Sequence, residues 1–306
     1  MCGRTCLSLG KEQICCACSY KDKKLNRFII PNYLQEHNNG KEYTPSYNIA
    51  PTDITPILIS ASKFKNSAQT SRVIKPMMWG IIPPWHKGNY KNHNLSTNNC
   101  RIENIRHSNL YNPILCDGGR CIVLAEGFYE WQTAAKNKNK QPYYIYMKQD
   151  SSIKMSDPKT WPNTFNEDEG WKGIKLLHMA GLYHVWRDND MVIYSYSVIT
   201  MESNETLNWL HHRMPAIMDN QDQINAWLDI DNVNVDMALE YLKPVKIVEW
   251  HPVSSMVNNS RNKSEECNNI INIEKAKTSQ KMITAWISTN KRKSSDDVNE
   301  SKKAKF

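Results

Sequence analysis

The stretch Met191–Thr200 reads Met-Val-Ile-Tyr-Ser-Tyr-Ser-Val-Ile-Thr and constrains the fold more than any other part of the chain. β-branched and aromatic residues interleaved with small polar ones form the pattern of a strand packed in a sheet. Further strand-like segments occur at Pro56–Ser60, Arg72–Trp79, Arg120–Ala125, Pro142–Met147, Lys175–Trp186 and Val245–Trp250, and residues 5–9 can add a short one. Helices are expected at Lys11–Tyr20, Ile102–Asn109, Asn204–Leu210 with Ser203 as its cap, Gln221–Leu228 and Val235–Leu242. The polar, Trp-containing excursion Asp150–Trp171 reads as a surface insertion.

With 306 residues, 40% of them hydrophobic, the chain can bury a substantial core. Composition turns polar and charged beyond Asn262, so one domain over residues 2–262 and a tail over 263–306 are expected. No stretch approaches the ~20 apolar residues of a membrane span. The N-terminus carries Arg4, Lys11 and Glu12 in place of an apolar signal core, and an intracellular protein is expected. Nine cysteines, an odd number in no disulfide-like framework, agree with a reducing compartment. Cys15, Cys16 and Cys18, with Cys2 and Cys6, raise the question of zinc. They lack paired Cys-x-x-Cys spacing, so buried packing is expected, with no metal and no cofactor. A formal net charge of +8 favours a polyanionic partner, although part of the excess lies in the tail.

Several segments carry chemistry. Cys2, beside Gly3, is small enough for removal of Met1, which leaves a cysteine with a free α-amine. Such an amine titrates near ~8 and the thiol near ~8.5. The pair condenses with an aldehyde to a thiazolidine, a reaction closed to an internal cysteine. Trp79-Gly80-Ile81-Ile82-Pro83-Pro84-Trp85 is either a buried aromatic corner or a stacking surface for bases. Glu130, between Tyr129 and Trp131, is either half-exposed on a strand or a desolvated acid/base. His211 and His212 precede Arg213-Met214-Pro215 at a helix end, where the dipole would favour a protonated imidazole. Pro45–Asn48, Asn92–Arg101 and Ser254–Arg261 are polar loops, the last able to offer donors to a phosphate or base. In the tail, Gln280, Ile283, Trp286 and Ile287 have the spacing of a peptide docking on a sliding clamp, or of an edge helix. The runs Lys291-Arg292-Lys293 and Lys302-Lys303-Ala304-Lys305 suit nuclear import.

Met1–Arg4, Pro45–Asn48, Trp79–Trp85, Asn99-Cys100-Arg101, Arg120–Trp131, His211–Pro215 and Ser254–Arg261 together resemble the SOS-response-associated peptidase family, and most closely its eukaryotic members that shield abasic sites in DNA. They stand in the family's order over nearly the whole main domain. Departures are Asn104 after Glu103, where Thr is commoner, and Glu126 before Gly127, where Asp is frequent. The resemblance implies an α+β fold with a strand-rich, barrel-like core and peripheral helices. It implies Cys2 as nucleophile, Asn99 orienting the N-terminus and sugar, Glu130 as acid/base and His211 as proton donor. Arg4, Arg101 and Arg213 would hold phosphates, with Asn48, Trp79 and Trp85 also at the DNA. The implied activity is a thiazolidine crosslink to abasic single-stranded DNA, with autocatalytic loss of Met1, in a nuclear monomer. A peptidase acting on other peptides would differ by turning over an unrelated peptide. A non-covalent reader of modified bases would bind equally well without Cys2.

Overall fold

The computed structural model describes residues 2–22, 24–35, 41–64, 70–133, 140–275 and 278. Met1–Asn269 forms one compact unit and Ile270–Phe306 a second. Gln280, Ile283, Trp286 and Ile287 lie outside the described residues.

The fold is α+β, with a closed barrel at its centre. Met191–Glu202 pairs with Leu177–Asp188, which pairs with Arg120–Ala125, then Ile54–Ser60, then Arg72–Trp79, each step antiparallel. A parallel pairing of Ser195 with Met78 and Tyr196 with Trp79 closes the ring. Closure leaves no edge among these five strands. Every residue of Arg72–Trp79 is buried, so this strand is covered on both faces. Even Lys75 is enclosed, its ammonium 3.9 Å from the centre of the Tyr194 ring and 5.1 Å from that of Phe64. Gly80, at φ +114°, then turns the chain off the barrel in a conformation open to glycine, and its N–H donates to the Tyr196 carbonyl at 2.8 Å.

A second sheet of five antiparallel strands runs Val248–Pro252, Pro142–Met147, Gly127–Trp131, Thr5–Leu7, Ser46–Ile49. One stretch of chain joins the two sheets. Arg120–Ala125 belongs to the barrel, Gly127–Trp131 to the second sheet, and Glu126 stands between them. Gly127 is required by packing, because a Cβ there would lie 2.4 Å from the Tyr144 ring and 2.6 Å from the Ile145 carbonyl.

The main strands match expectation, with ends shifted by a few residues. Helices depart further. Lys11–Ala17 is shorter than expected and gives way to a strand at Tyr20–Asp22. Ile102–His107 is a 3-10 helix, followed by an α-helix at Tyr111–Cys116 that the pattern did not suggest. Asn204–Leu210 is not a helix but a series of turns, with Leu207 N–H to Asn204 O at 3.2 Å and Leu210 N–H to Leu207 O at 2.9 Å. Four-residue bonds, Asn208 N–H to Asn204 O at 2.9 Å and His211 N–H to Leu207 O at 3.0 Å, are interleaved with them, and so short a nucleus does not propagate into a regular helix.

Candidate active site

The beginning of the chain is drawn into the second sheet. Thr5 lies opposite Phe128 on one side and Ile49 on the other, and the Tyr129 N–H donates to the Arg4 carbonyl at 2.9 Å. Glu126 fixes this placement. Its carboxylate accepts from Ser8 N–H at 2.6 Å, Leu9 N–H at 2.8 Å, the Ser8 hydroxyl at 3.0 Å and the Cys6 thiol at 3.2 Å. The residue read as a minor departure before Gly127 is thus the anchor of the N-terminal strand.

Cys2 consequently sits only 1% exposed. The Asn99 amide donates to the Cys2 carbonyl at 2.6 Å. Asn99 comes from the barrel side, on Asn99–Arg101, a short strand pairing in parallel with Val198–Thr200. Its carbonyl accepts from the Tyr111 hydroxyl at 3.3 Å, while its Oδ1 is buried with no partner among the described residues. Burial, followed by the Glu130 carboxylate, pushes the Cys2 thiol up to about 12, so sulfur holds its proton at neutral pH. Glu130 is itself buried, and burial raises its pKa above the ordinary carboxylate value. Desolvation, rather than a half-exposed strand position, is therefore its state.

His211 is buried too, and burial lowers its pKa to about 4, with His212 stacked on it at 4.4 Å adding to the effect. This corrects the expectation of a protonated imidazole. The helix whose dipole would have favoured the charge is absent, and desolvation decides. The Arg213 N–H donates to His211 Nδ1 at 3.0 Å, closer than the Arg213 carbonyl at 3.3 Å. An amide N–H can only donate, so Nδ1 is the acceptor and the ring proton is on Nε2.

The residues expected at DNA divide. Trp85 is 57% exposed and Arg101 is exposed at the end of its strand. Trp79 is not a stacking surface: it is 1% exposed, stacked on Tyr196 at 6.1 Å, and its indole N–H donates to the Asn98 carbonyl at 2.9 Å. Closing the barrel uses the ring. Asn48 is fully buried, and its Nδ2 donates to the carbonyls of Val257, Asn259 and Asn262 at 2.8–3.2 Å. It holds the 257–262 loop in place and presents nothing outward. Arg4 is half-buried, donating to Asn48 Oδ1 at 2.9 Å and to the Val257 carbonyl at 2.6 Å. The loop expected to offer donors instead supplies acceptors to Arg4 and Asn48.

Arg213 is likewise committed inside the protein. Its two Nη atoms bind Glu103 at 2.6 and 3.0 Å, and Nη2 also donates to the Thr200 carbonyl at 2.7 Å. The Arg213 side chain is 4% exposed and that of Glu103 47%. In this arrangement it positions His211 through its backbone and offers no free fork to a phosphate. Glu103 was missed as a contributor because 110 residues separate it from Arg213.

A buried cysteine, carboxyl and neutral imidazole thus meet where a barrel strand faces the N-terminal strand, a site formed from both sheets and from the chain's own beginning. The chain belongs to the SOS response associated peptidase (SRAP) family, whose model matches residues 1–260. Among its relatives is the abasic site processing protein HMCES of Xenopus tropicalis, 41% identical over 276 residues, 87% of this chain and 77% of that protein. The protein of the same name from Rattus norvegicus is 36% identical over 297 residues, covering 94% and 83%. The abasic site processing protein YoqW of Bacillus subtilis is 29% identical over 248 residues, covering 80% and 93%. A crystal structure from Bacteroides thetaiotaomicron shares the fold at a TM-score of 0.62 and 19% identity, over 88% of this chain and all of that one.

Proposed function

We propose that this protein captures abasic sites in single-stranded DNA as a covalent thiazolidine through Cys2, once Met1 has been removed. The observation that carries the reading is the 2.6 Å hydrogen bond by which Asn99 holds Cys2, buried and close enough to Glu130 for the carboxylate to act on its thiol. The names of the relatives, all abasic site processing proteins, support the substrate.

A ring-opened abasic sugar presents an aldehyde at C1′. The Cys2 amine adds to it, an N–C1′ bond forms, and loss of water leaves an imine. The thiol then adds across that double bond, forming Sγ–C1′ while its proton passes to nitrogen. A thiol protonated up to about 12 cannot attack as a standing thiolate, so its proton must move as sulfur approaches. Glu130, raised toward neutrality by burial, is suited to give and take protons in these steps. His211 acts as a neutral Nε2–H donor to the sugar oxygen that leaves as the ring opens, in place of an imidazolium. Asn99 Oδ1, buried and unpartnered among the described residues, is an acceptor for the new amine or a sugar hydroxyl. Removal of Met1 is a hydrolysis of the Met1–Cys2 bond, in which the Cys2 thiol would serve as nucleophile and Glu130 as acid/base.

The test is incubation of wild-type and Cys2→Ala protein with single-stranded DNA carrying one abasic site, followed by denaturing electrophoresis. A stable adduct is expected only for the wild type. An adduct at wild-type level in Cys2→Ala would end the proposal.

A further inference from the structure

The sheet face that carries Glu130 also carries an aromatic surface that the chemistry above does not use. Glu130 lies directly opposite Tyr143, and Ile145 directly opposite Trp250. Direct antiparallel partners, and residues two apart on a strand, share a face. Glu130, Tyr143 and Trp250 are therefore on one side of the sheet. Trp209, two residues before His211, lies across them, its ring edge-on to Tyr143 at 4.9 Å and tilted to Trp250 at 5.5 Å. Its indole N–H donates to the Thr206 carbonyl at 2.9 Å, which fixes the ring.

These rings are not submerged. Trp250 is 38% exposed, Trp209 and Tyr143 are half-buried, and Trp250 stands on the edge strand of its sheet. The exposed Lys140 stands near enough to act on both Glu130 and His211, which puts one positive charge beside this face. Glu249 neighbours Trp250 in sequence and belongs to the opposite face. Half-exposed aromatic rings beside positive charge, continuous with a site that takes a nucleic-acid sugar, match the chemistry of unpaired nucleobases.

We propose that Trp209, Trp250 and Tyr143 form a stacking platform for the bases of the same DNA strand whose abasic sugar enters the Cys2 site. The proposal rests on the DNA reading above and specifies single-stranded DNA, because bases in a duplex already stack on one another. It assigns the platform to affinity and to strand path, not to bond formation.

Two oligonucleotides of equal length and phosphate number test it. One carries a single tetrahydrofuran residue among normal bases, and the other is tetrahydrofuran throughout; neither has an aldehyde, so binding is reversible. The full-length wild type is expected to bind the base-bearing strand at least tenfold more tightly, as stacking of about 1 to 3 kcal/mol per base predicts. Trp250→Ala should remove most of that preference and leave affinity for the base-less strand unchanged. Trp209→Leu, which keeps apolar packing on Tyr143, should act in the same direction. Equal loss on both strands, or no loss in either variant, would overturn the platform while leaving the DNA reading intact. A wild type that binds neither strand would overturn both.

Discussion

Glu126 and Glu130 stand four residues apart on one run of chain, both buried, both with carboxyl pKa values raised by burial, yet in opposite circumstances. Glu126 is surrounded by four donor groups from Cys6, Ser8 and Leu9, so its charge is spent on holding the N-terminal strand. Glu130 has Trp131 N–H at 3.4 Å and faces Cys2, so its charge bears on the nucleophile. Burial alone therefore does not make a carboxylate reactive. What differs is what each carboxylate acts on: donors of the N-terminal strand for Glu126, the Cys2 thiol for Glu130.

This contrast gives a ranked series of outcomes. The largest effect belongs to Glu130→Gln, which should slow adduct formation by roughly 10² to 10⁴-fold. Its thermal midpoint should stay near that of the wild type. Glu126→Gln should do the reverse, turning amide hydrogens toward the N–H groups of Ser8 and Leu9, and lose about 3 kcal/mol in denaturant titration. If the two variants behaved alike in both assays, the distinction between anchor and catalyst would be broken.

Arg213→Ala comes next and concerns the same distinction for a cation. Loss of its bonds to Glu103 and to the buried Thr200 carbonyl should cost about 2 kcal/mol of stability. A surface phosphate anchor would leave stability alone and lower only the salt dependence of DNA binding. The smallest effect concerns pH. His211 has a folded pKa of about 4 against an ordinary 6.5, so the unfolded chain takes up a proton that the folded chain refuses. Stability should therefore be full above about 6.5 and fall as pH drops from there toward 4. Urea midpoints at pH 7.5 and 5 should show His211→Asn narrowing the wild-type difference. An adduct rate that followed a histidine titration near 6.5 would contradict the neutral imidazole.

The strands of the barrel were legible because β-branching and apolar runs are local properties, and Arg72–Trp79 and Met191–Glu202 carry them plainly. Closure was not legible, since it depends on Ser195 meeting Met78 across 117 residues. The same limit governs the site. Cys2 and Glu130 could be selected by chemistry and by likeness to a family, whereas Glu103, which binds Arg213, and the 257–262 carbonyls, which bind Asn48, lie more than a hundred residues from those partners. Two tryptophans bracket the Gly-Pro segment, and local pattern does not tell that Trp79, at the end of its strand, closes the barrel while Trp85 faces solvent. His211 shows a further limit: seven residues that could form a helix form turns instead, and the charge state of the imidazole changes with them.

The central claim is that a mature N-terminal Cys2, held by Asn99 beside Glu130, bonds the abasic sugar. Intact mass of the purified protein, with and without single-stranded DNA bearing one abasic site, tests it most directly. The account predicts a chain lacking Met1 that gains the mass of the oligonucleotide less one water. A chain that retains Met1 and still forms the adduct, or one that lacks Met1 and forms none, would contradict it.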